Sequence, residues 1–278
     1  MTDFDDLNSQ LWTLAALGRL ADQGLLDHAA DPADEVSLVS QQLLVDAGWL
    51  LTDPVRPSPR ALAAPPPGVP LAAMSGYIRE QFGRVAQFAE GAPPGWAETD
   101  RERIRWRGRA SGLMAQGIFG RCCPDVLART TDFLDVGVGA AGIAMQLCHQ
   151  FPALRAVGLD ISPTALDVAR ADVAAAGLGD RIEIRDQSVA ALTDLSAYDL
   201  VWLPQPFIPR DVLIQALPRL RRSLRSDGCL VMVLAAESDL ANLMSGGGTL
   251  PVEDAAKLLE HIGFRDIQSH DGVITARP

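Results

Sequence analysis

Ten residues in the middle of the chain constrain its architecture more than any others: Phe133-Leu134-Asp135-Val136-Gly137-Val138-Gly139-Ala140-Ala141-Gly142. A short apolar run leads into a glycine turn, and the turn leads into a helical pattern with Ile143, Leu147 and Phe151 at four-residue spacing. Glycine accepts the backbone angles a tight turn needs and lets the main chain approach a ligand at the carboxyl end of a strand. Gly137, Gly139 and Gly142 also match the dinucleotide-binding spacing G-x-G-x-x-G, a signal of low specificity on its own.

From residue 131 onward strands and helices alternate. Strands are expected at 132–136, 154–159, 181–185, 198–203 and 229–234, with two short ones near 264–269 and 273–276. Helices are expected at 140–151, after Ser162-Pro163 (Ser as N-cap, Pro in the first turn), at 210–225 with a bend at Pro218, and at 252–262 before Gly263. Repeated β-α-β units with short loops imply an α/β fold, a doubly wound and mostly parallel sheet. The first 130 residues read differently. Leu11, Leu14, Leu17 and Leu20 form a helical stripe, Val36–Trp49 a second helix with Gly48 at its end, and Leu71–Ala89 a third. Between the second and third lies a Pro-rich passage from Pro54 to Pro70, unsuited to a central strand. Ala92-Pro93-Pro94-Gly95 breaks the chain again. Three parts follow: a helical, winged-helix-like domain over 1–100, connecting helices over 101–130, and a sheet domain over 131–278.

Charge narrows the partners. Acidic residues outnumber basic ones 35 to 24, for a net charge of −11, so a broad basic face for nucleic acid is not expected. Val36–Trp49, the helix that would have to read DNA, contains no Arg or Lys. The four cysteines show no C-x-x-C spacing and two are adjacent, which suits neither a disulfide framework nor a zinc site, and no metal is expected. The acidic start is unlike a signal peptide, and the longest purely apolar run, Cys229–Ala236, is too short to span a bilayer. A cytoplasmic protein without membrane attachment is expected.

Three acids sit where the strands should end: Asp135, Asp160 and Asp186. Strand ends of such a sheet line one edge, so the three carboxylates should border one cleft. Near the glycine turn, Asp135 would work against a pyrophosphate. A cationic nucleoside suits the trio better: S-adenosylmethionine carries a sulfonium, an ammonium, a ribose diol and an adenine amine.

With these residues in place, the sheet domain resembles the class I S-adenosylmethionine-dependent methyltransferases. Leu134-Asp135-Val136-Gly137-Val138-Gly139 resembles their first motif, and Val157-Gly158-Leu159-Asp160-Ile161-Ser162 the second-strand motif whose acid binds the ribose hydroxyls. Arg185-Asp186-Gln187-Ser188 resembles the segment that meets adenine, and Tyr198–Pro204 the fourth-strand motif, which puts Leu203 and Pro204 beside the methyl group. Leu220–Gly228 and His261–Phe264 resemble the later motifs. The family's third glycine usually stands where this chain has Ala141. The resemblance implies a Rossmann-like seven-stranded sheet, S-adenosyl-L-methionine as cofactor and, from the helical domain in front, a small-molecule O-methyltransferase that dimerises through that domain. N- or C-methylation, or an NAD(P)-dependent oxidoreductase read from the glycine spacing alone, are the alternatives.

The general base that many of these enzymes carry, a His shortly after the fourth strand, has no counterpart in Gln205-Pro206-Phe207-Ile208-Pro209, so no catalytic residue is assigned. Gln205 and Phe207, with Tyr77, Trp106 and Met114 upstream, are candidates to touch the acceptor; each has a packing role as its alternative. Arg101, Arg103, Arg105, Arg107 and Arg109 are read either as a solvated helix face or as a clamp for a carboxylate.

Overall fold

Strongly apolar runs bounded by glycine, proline and aspartate build a central sheet. In the computed structural model, residues 3–23, 34–52, 55–62, 73–91, 100–234, 250–270 and 272–278 are described. The sheet contains β3 (Asp132–Val136), β4 (Arg155–Asp160), β5 (Ile182–Asp186), β6 (Tyr198–Pro204), β7 (Leu224–Val233), β8 (Arg265–His270) and β9 (Val273–Arg277) in the order β5-β4-β3-β6-β7-β9-β8. The first five in this order run parallel, and β9 pairs antiparallel with both β7 and β8. The chain reverses its direction of travel across the sheet between β3 and β6, which is where ligands enter folds of this kind.

Period-two alternation distributes the core. On one face Phe133, Leu200, Trp202 and Val231 meet α5 (Arg101–Cys122), α6 (Pro124–Arg129), α7 (Gly142–Gln150) and α8 (Pro163–Ala175). On the other, Leu134, Val201, Leu203 and Met232 meet α9 (Arg210–Ser223) and α10 (Val252–Ile262). Ser162 caps α8 as its sequence implies, accepting a hydrogen bond from the Ala165 amide.

Two elements differ from expectation. The helix expected from Ala140 begins at Gly142, because Gly139 (φ 55°) and Ala141 (φ 59°) take left-handed backbone angles that no helix continues. The strand expected from Cys229 already begins at Leu224, and its pairing with β6 slips between Tyr198 and Leu200. Gly228 sits at that slip, where a Cβ would lie 3.0 Å from the Tyr198 carbonyl oxygen. Pro218 does not interrupt α9; it lies on the exposed side, where water can satisfy the carbonyl it leaves free.

Upstream, α1 (Asp3–Asp22), α2 (Glu35–Asp46), a two-residue ladder of β1 (Leu50–Leu51) with β2 (Arg56–Pro57), α3 (Pro59–Leu62) and α4 (Ala73–Ala89) share a small core of Leu17, Leu20, Leu44, Leu50, Ala61 and Ile78. The stripe read on α1 is only half used: Leu17 and Leu20 are buried, while Leu11 and Leu14 are exposed. Gly48 ends α2 with a positive φ, as expected. Pro65–Pro70 and the Ala92–Gly95 break lie outside the described residues.

Candidate functional site

The register of the parallel strands gathers the three acids at one edge. Asp160 and Asp186 stand side by side as paired residues of β4 and β5, and Asp135 lies two pairs back on β3, opposite Gly158 and Trp202. Beyond Asp135 the chain turns sharply through Gly137 (φ 69°), Gly139 and Ala141 before entering α7. Ala141, standing where the resemblance places glycine, thus carries a left-handed conformation that costs an L-residue about 1–2 kcal/mol.

Asp160 holds this turn from the neighbouring strand. Its Oδ2 accepts from the Gly139 amide at 2.9 Å, and its Oδ1 from the amides of Ile161 and Ser162 at 2.8 and 2.9 Å. Val138 is pinned by its amide to the Leu159 carbonyl, and its side chain fills the space over Gly158, where a Cβ would come within 2.4 Å of it. Ile161 projects outward with 70 % of its surface exposed beside the Asp160 carboxylate. Past β5, the Gln187 amide donates to the Asp160 carbonyl, Gln187 Nε2 to the Ala191 carbonyl, and Ser188 Oγ accepts from the Ala190 amide.

Asp135 is of another kind. It is buried, and its Oδ2 has no hydrogen-bond partner. Burial pushes its carboxyl well above the usual range; the Ala144 amide at the start of α7 opposes this, and the charge of Asp160 adds to it. An orphaned oxygen of this kind is costly, and it marks a place where a donor or a cation would be welcome.

The other wall comes from β6. Pro204 lies close to the turn, 3.7 Å from where a Cβ on Gly137 would be, while the Leu203 side chain turns away into the core under α9, leaving only its backbone at this edge. Gln205 and Phe207 follow in a short 3-10 turn; Gln205 is fully buried and Phe207 is 41 % exposed. Tyr77 on α4 and Trp106 and Met114 on α5 are half-buried, with the Arg79 guanidinium 5.0 Å over the Trp106 ring.

Helix α5 lies directly on the glycine turn, a feature that the motif reading missed. A Cβ on Gly142 would stand 1.8 Å from the Gly108 carbonyl oxygen, and one on Gly112 2.7 Å from the Gly142 oxygen. Gly142 is therefore required by a crossing helix rather than by a ligand. The small residues Gly108, Gly112 and Ala115 on α5 were the available signal. Several arginines of α5 are paired within the chain. Arg101 pairs with Asp167 at 3.1 Å, Arg105 with Asp172 and Glu102 at 3.0 Å, and Arg103 with Asp100 at 3.6 Å. The pairs with Asp167 and Asp172 tie α5 to α8, and the pairing of Arg101, Arg103 and Arg105 favours the structural reading over a carboxylate clamp for these three. Among the described residues no group of three or more His, Cys, Asp or Glu is arranged to hold a metal ion, and no helix is long and apolar enough to cross a membrane.

A seven-stranded sheet in this order, with one antiparallel strand near its edge and acids at or near the ends of β3, β4 and β5, is the fold of the class I S-adenosylmethionine-dependent methyltransferases. Residues 133–228 match the family described as "Methyltransferase domain". The chain is 38 % identical over 79 residues to a tRNA1(Val) (adenine(37)-N6)-methyltransferase of Porphyromonas gingivalis, covering 27 % of this chain and 31 % of that protein. It is 30 % identical over 164 residues to a release factor glutamine methyltransferase of Cereibacter sphaeroides, covering 52 % of this chain and 58 % of that one. It thus spans only a part of the curated relatives it matches. Among solved structures, an O-methyltransferase family protein from Burkholderia thailandensis superposes with a TM-score of 0.60 at 15 % identity, over 99 % of this chain and 97 % of that one. Human N-acetylserotonin methyltransferase, in complex with S-adenosylmethionine, does so with a TM-score of 0.59 at 16 % identity, over 98 % and 94 %. At such identities these two establish the fold.

Proposed function

We propose that the chain methylates a small molecule, with S-adenosyl-L-methionine as donor and oxygen as the acceptor atom. The observation that carries the reading is the pairing of two carboxylates around one turn: Asp160 organising the Gly139 amide, and Asp135 buried behind it with an unpartnered oxygen. Asp135 beside the turn favours a positively charged nucleoside over a pyrophosphate, which supports this reading against the dinucleotide alternative, while Asp160 would serve a ribose diol in either.

In this reading Gly137, Val138 and Gly139 offer backbone to the amino-acid part of the cofactor. Asp160 accepts from the ribose hydroxyls with its remaining lone pairs, and Ile161 flanks the adenine with its exposed side chain. Asp186, Gln187 and Ser188 border the adenine edge, and Leu203 (through its backbone) and Pro204 line the position of the methyl group. Bound there, the cofactor supplies an electrophilic methyl whose departing sulfur becomes neutral. The protein's own contribution is alignment and exclusion of water, worth up to roughly 7–11 kcal/mol of barrier when positioning is good. Tyr77, Trp106, Met114, Gln205 and Phe207 are assigned to the acceptor. Without a His after β6, the reading favours an acceptor that ionises readily, such as a phenol or enol.

Residues 1–100 are read as a winged-helix-like unit, 101–130 as connecting helices and 131–278 as the catalytic domain. The exposed Trp12, Val36 and Val39 on α1 and α2 support self-association through the first of these. A cytoplasmic location, with neither nucleic acid nor membrane as partner, fits the acidic charge and four free cysteines.

The test is calorimetric. S-adenosylmethionine and its demethylated product are expected to bind and to raise the melting temperature, whereas NADH is not. Stabilisation by NADH alone would overturn the reading. A second reading, N-methylation, is favoured by the names of the sequence relatives. A panel of phenolic, enolic, amine, RNA and glutamine-peptide acceptors, followed by mass spectrometry, distinguishes the two.

A further inference from the structure

At the amino-terminal ends of the parallel strands, opposite the aspartate cleft, a cavity of about 210 Å³ is lined by Cys122, Cys123, Asp125, Cys229, Gln268 and Arg277 among others. Cys123 ends α5, and Pro124 immediately opens α6, which fixes the thiol at the junction of two helices. Cys229 lies on β7, paired with Leu200 of β6. Both residues are buried in the same apolar cluster and line the same cavity, and the Cys229 thiol donates to the Leu230 carbonyl at 3.5 Å. Cys122 is only half-buried, and Cys148 is held apart with its thiol against the Leu154 carbonyl.

Two buried thiols from different elements that line one cavity large enough for a small oxidant are poised for one reaction. We propose that Cys123 and Cys229 form a peroxide-oxidisable pair that closes reversibly to a disulfide. Cys229 sulfur attacks a peroxide oxygen; the O–O bond breaks, Cys229 becomes a sulfenic acid, and water leaves with the proton. Cys123 sulfur then attacks the sulfenic sulfur; the S–S bond forms as hydroxide departs and takes the Cys123 proton, giving a second water. The two sulfurs are oxidised and one peroxide is reduced.

The surroundings distinguish the roles. The neighbouring Cys123 thiol, with Arg277, the Ala276 amide and Arg129, lowers the Cys229 thiol's pKa against the effect of burial. Cys229 and burial together raise that of Cys123. Cys229 is therefore the attacking sulfur and Cys123 the resolving one. The link would fasten the end of α5 to the sheet, and α5 is the helix whose Gly108 and Gly112 rest on the glycine turn. Oxidation would thus brace the cover of the cleft from its far end. This pair is independent of the reading of the cleft itself.

The whole protein is treated with a few equivalents of hydrogen peroxide, alkylated in denaturant, digested with trypsin and mapped by mass spectrometry. The expected result is a fall from four reactive thiols to two, with peptide 122–129 joined to peptide 226–257, two hydrogens lighter than their sum. Dithiothreitol restores all four. Because Cys122 shares a peptide with Cys123, Cys122→Ser is expected to keep the cross-link and Cys123→Ser to abolish it. Four thiols surviving peroxide, a link between Cys122 and Cys123, or loss of the cross-link in Cys122→Ser would each overturn the proposal. The wild-type and Cys122→Ser maps decide the matter even if Cys123→Ser fails to fold.

Discussion

The Asp160 carboxylate reaches from the end of β4 to the Gly139 amide at 2.9 Å, so that the acid of one strand shapes the glycine turn of its neighbour. Its other oxygen organises the Ile161 and Ser162 amides that lead into α8. Removing the side chain leaves three amides to find other partners and takes an acceptor from the cleft. Asp160→Ala is expected to weaken S-adenosylmethionine binding by about tenfold or more and to lower stability by about 1–2 kcal/mol. Titration calorimetry and urea unfolding on the same preparation read the two effects. Affinity equal to wild type in a folded variant would remove Asp160 from the binding site.

The contact between α5 and the turn makes a steric prediction. A methyl group on Gly142 has to enter space 1.8 Å from the Gly108 carbonyl oxygen, and backbone cannot swing aside as a side chain can. Gly142→Ala is expected to cost more than about 3 kcal/mol or to prevent folding. Gly120, on the same α5, has nothing within 4 Å of a Cβ. Gly120→Ala should instead stabilise by about 0.5–1 kcal/mol through helix propensity. Denaturation midpoints of the pair test the packing; equal stabilities would mean that α5 does not press on the turn.

These two examples show where sequence was informative. Asp135, Asp160 and Asp186 were legible because strand ends in a parallel sheet converge, so position along the chain translates into position in space. Ser162 was legible because capping is local. The tight fit of Gly142 under Gly108 was not, since it joins residues on separate helices and leaves only a faint pattern of small residues. The glycine spacing marks Gly137 and Gly139 as the ligand-facing part of the turn, while the third glycine, Gly142, serves packing and Ala141 bears the left-handed angle. The exposed Leu11 and Leu14 mark a further limit: helical periodicity locates an apolar face but does not say what covers it.

Asp135 offers a pH test. Burial raises its folded pKa above the unfolded value, so its contribution to stability is fully present below the unfolded carboxylate pKa, about 3.9, and is lost as pH rises toward the folded pKa. Asp135→Asn imitates the neutral acid. It is expected to be more stable than wild type at pH 7, with the difference closing below about pH 4. A cation bound beside Asp135 favours its ionised form, so wild-type binding of S-adenosylmethionine should release a proton that the variant does not. Calorimetry in two buffers of different ionisation enthalpy measures this directly. Identical enthalpies in both buffers for wild type would place the cation away from Asp135.

Asp199 behaves in the opposite sense, and its chemistry lies at the other end of the sheet. It accepts from the Thr131 amide and hydroxyl, from the Asp132 amide, and from Arg225, which is 2.7 Å away and also reaches Asp132 at 2.9 Å. Burial alone would raise its pKa, but the Arg225 guanidinium and these donors outweigh that and hold it below the usual carboxylate range. A depressed folded pKa contributes stability that is present above the unfolded value and lost as pH falls through the folded one. Asp199→Asn keeps the shape and one acceptor oxygen but gives up the charge. Because Arg225 is itself 36 % exposed, its share is partly screened by water, and the expected cost is about 2 kcal/mol at pH 7. Urea unfolding from pH 7 down to about pH 3 should show the gap between variant and wild type narrowing as the wild-type carboxylate takes up its proton. A gap that stays constant across that range would mean that hydrogen-bond geometry, rather than the ionised pair, is what the Asp199 network contributes.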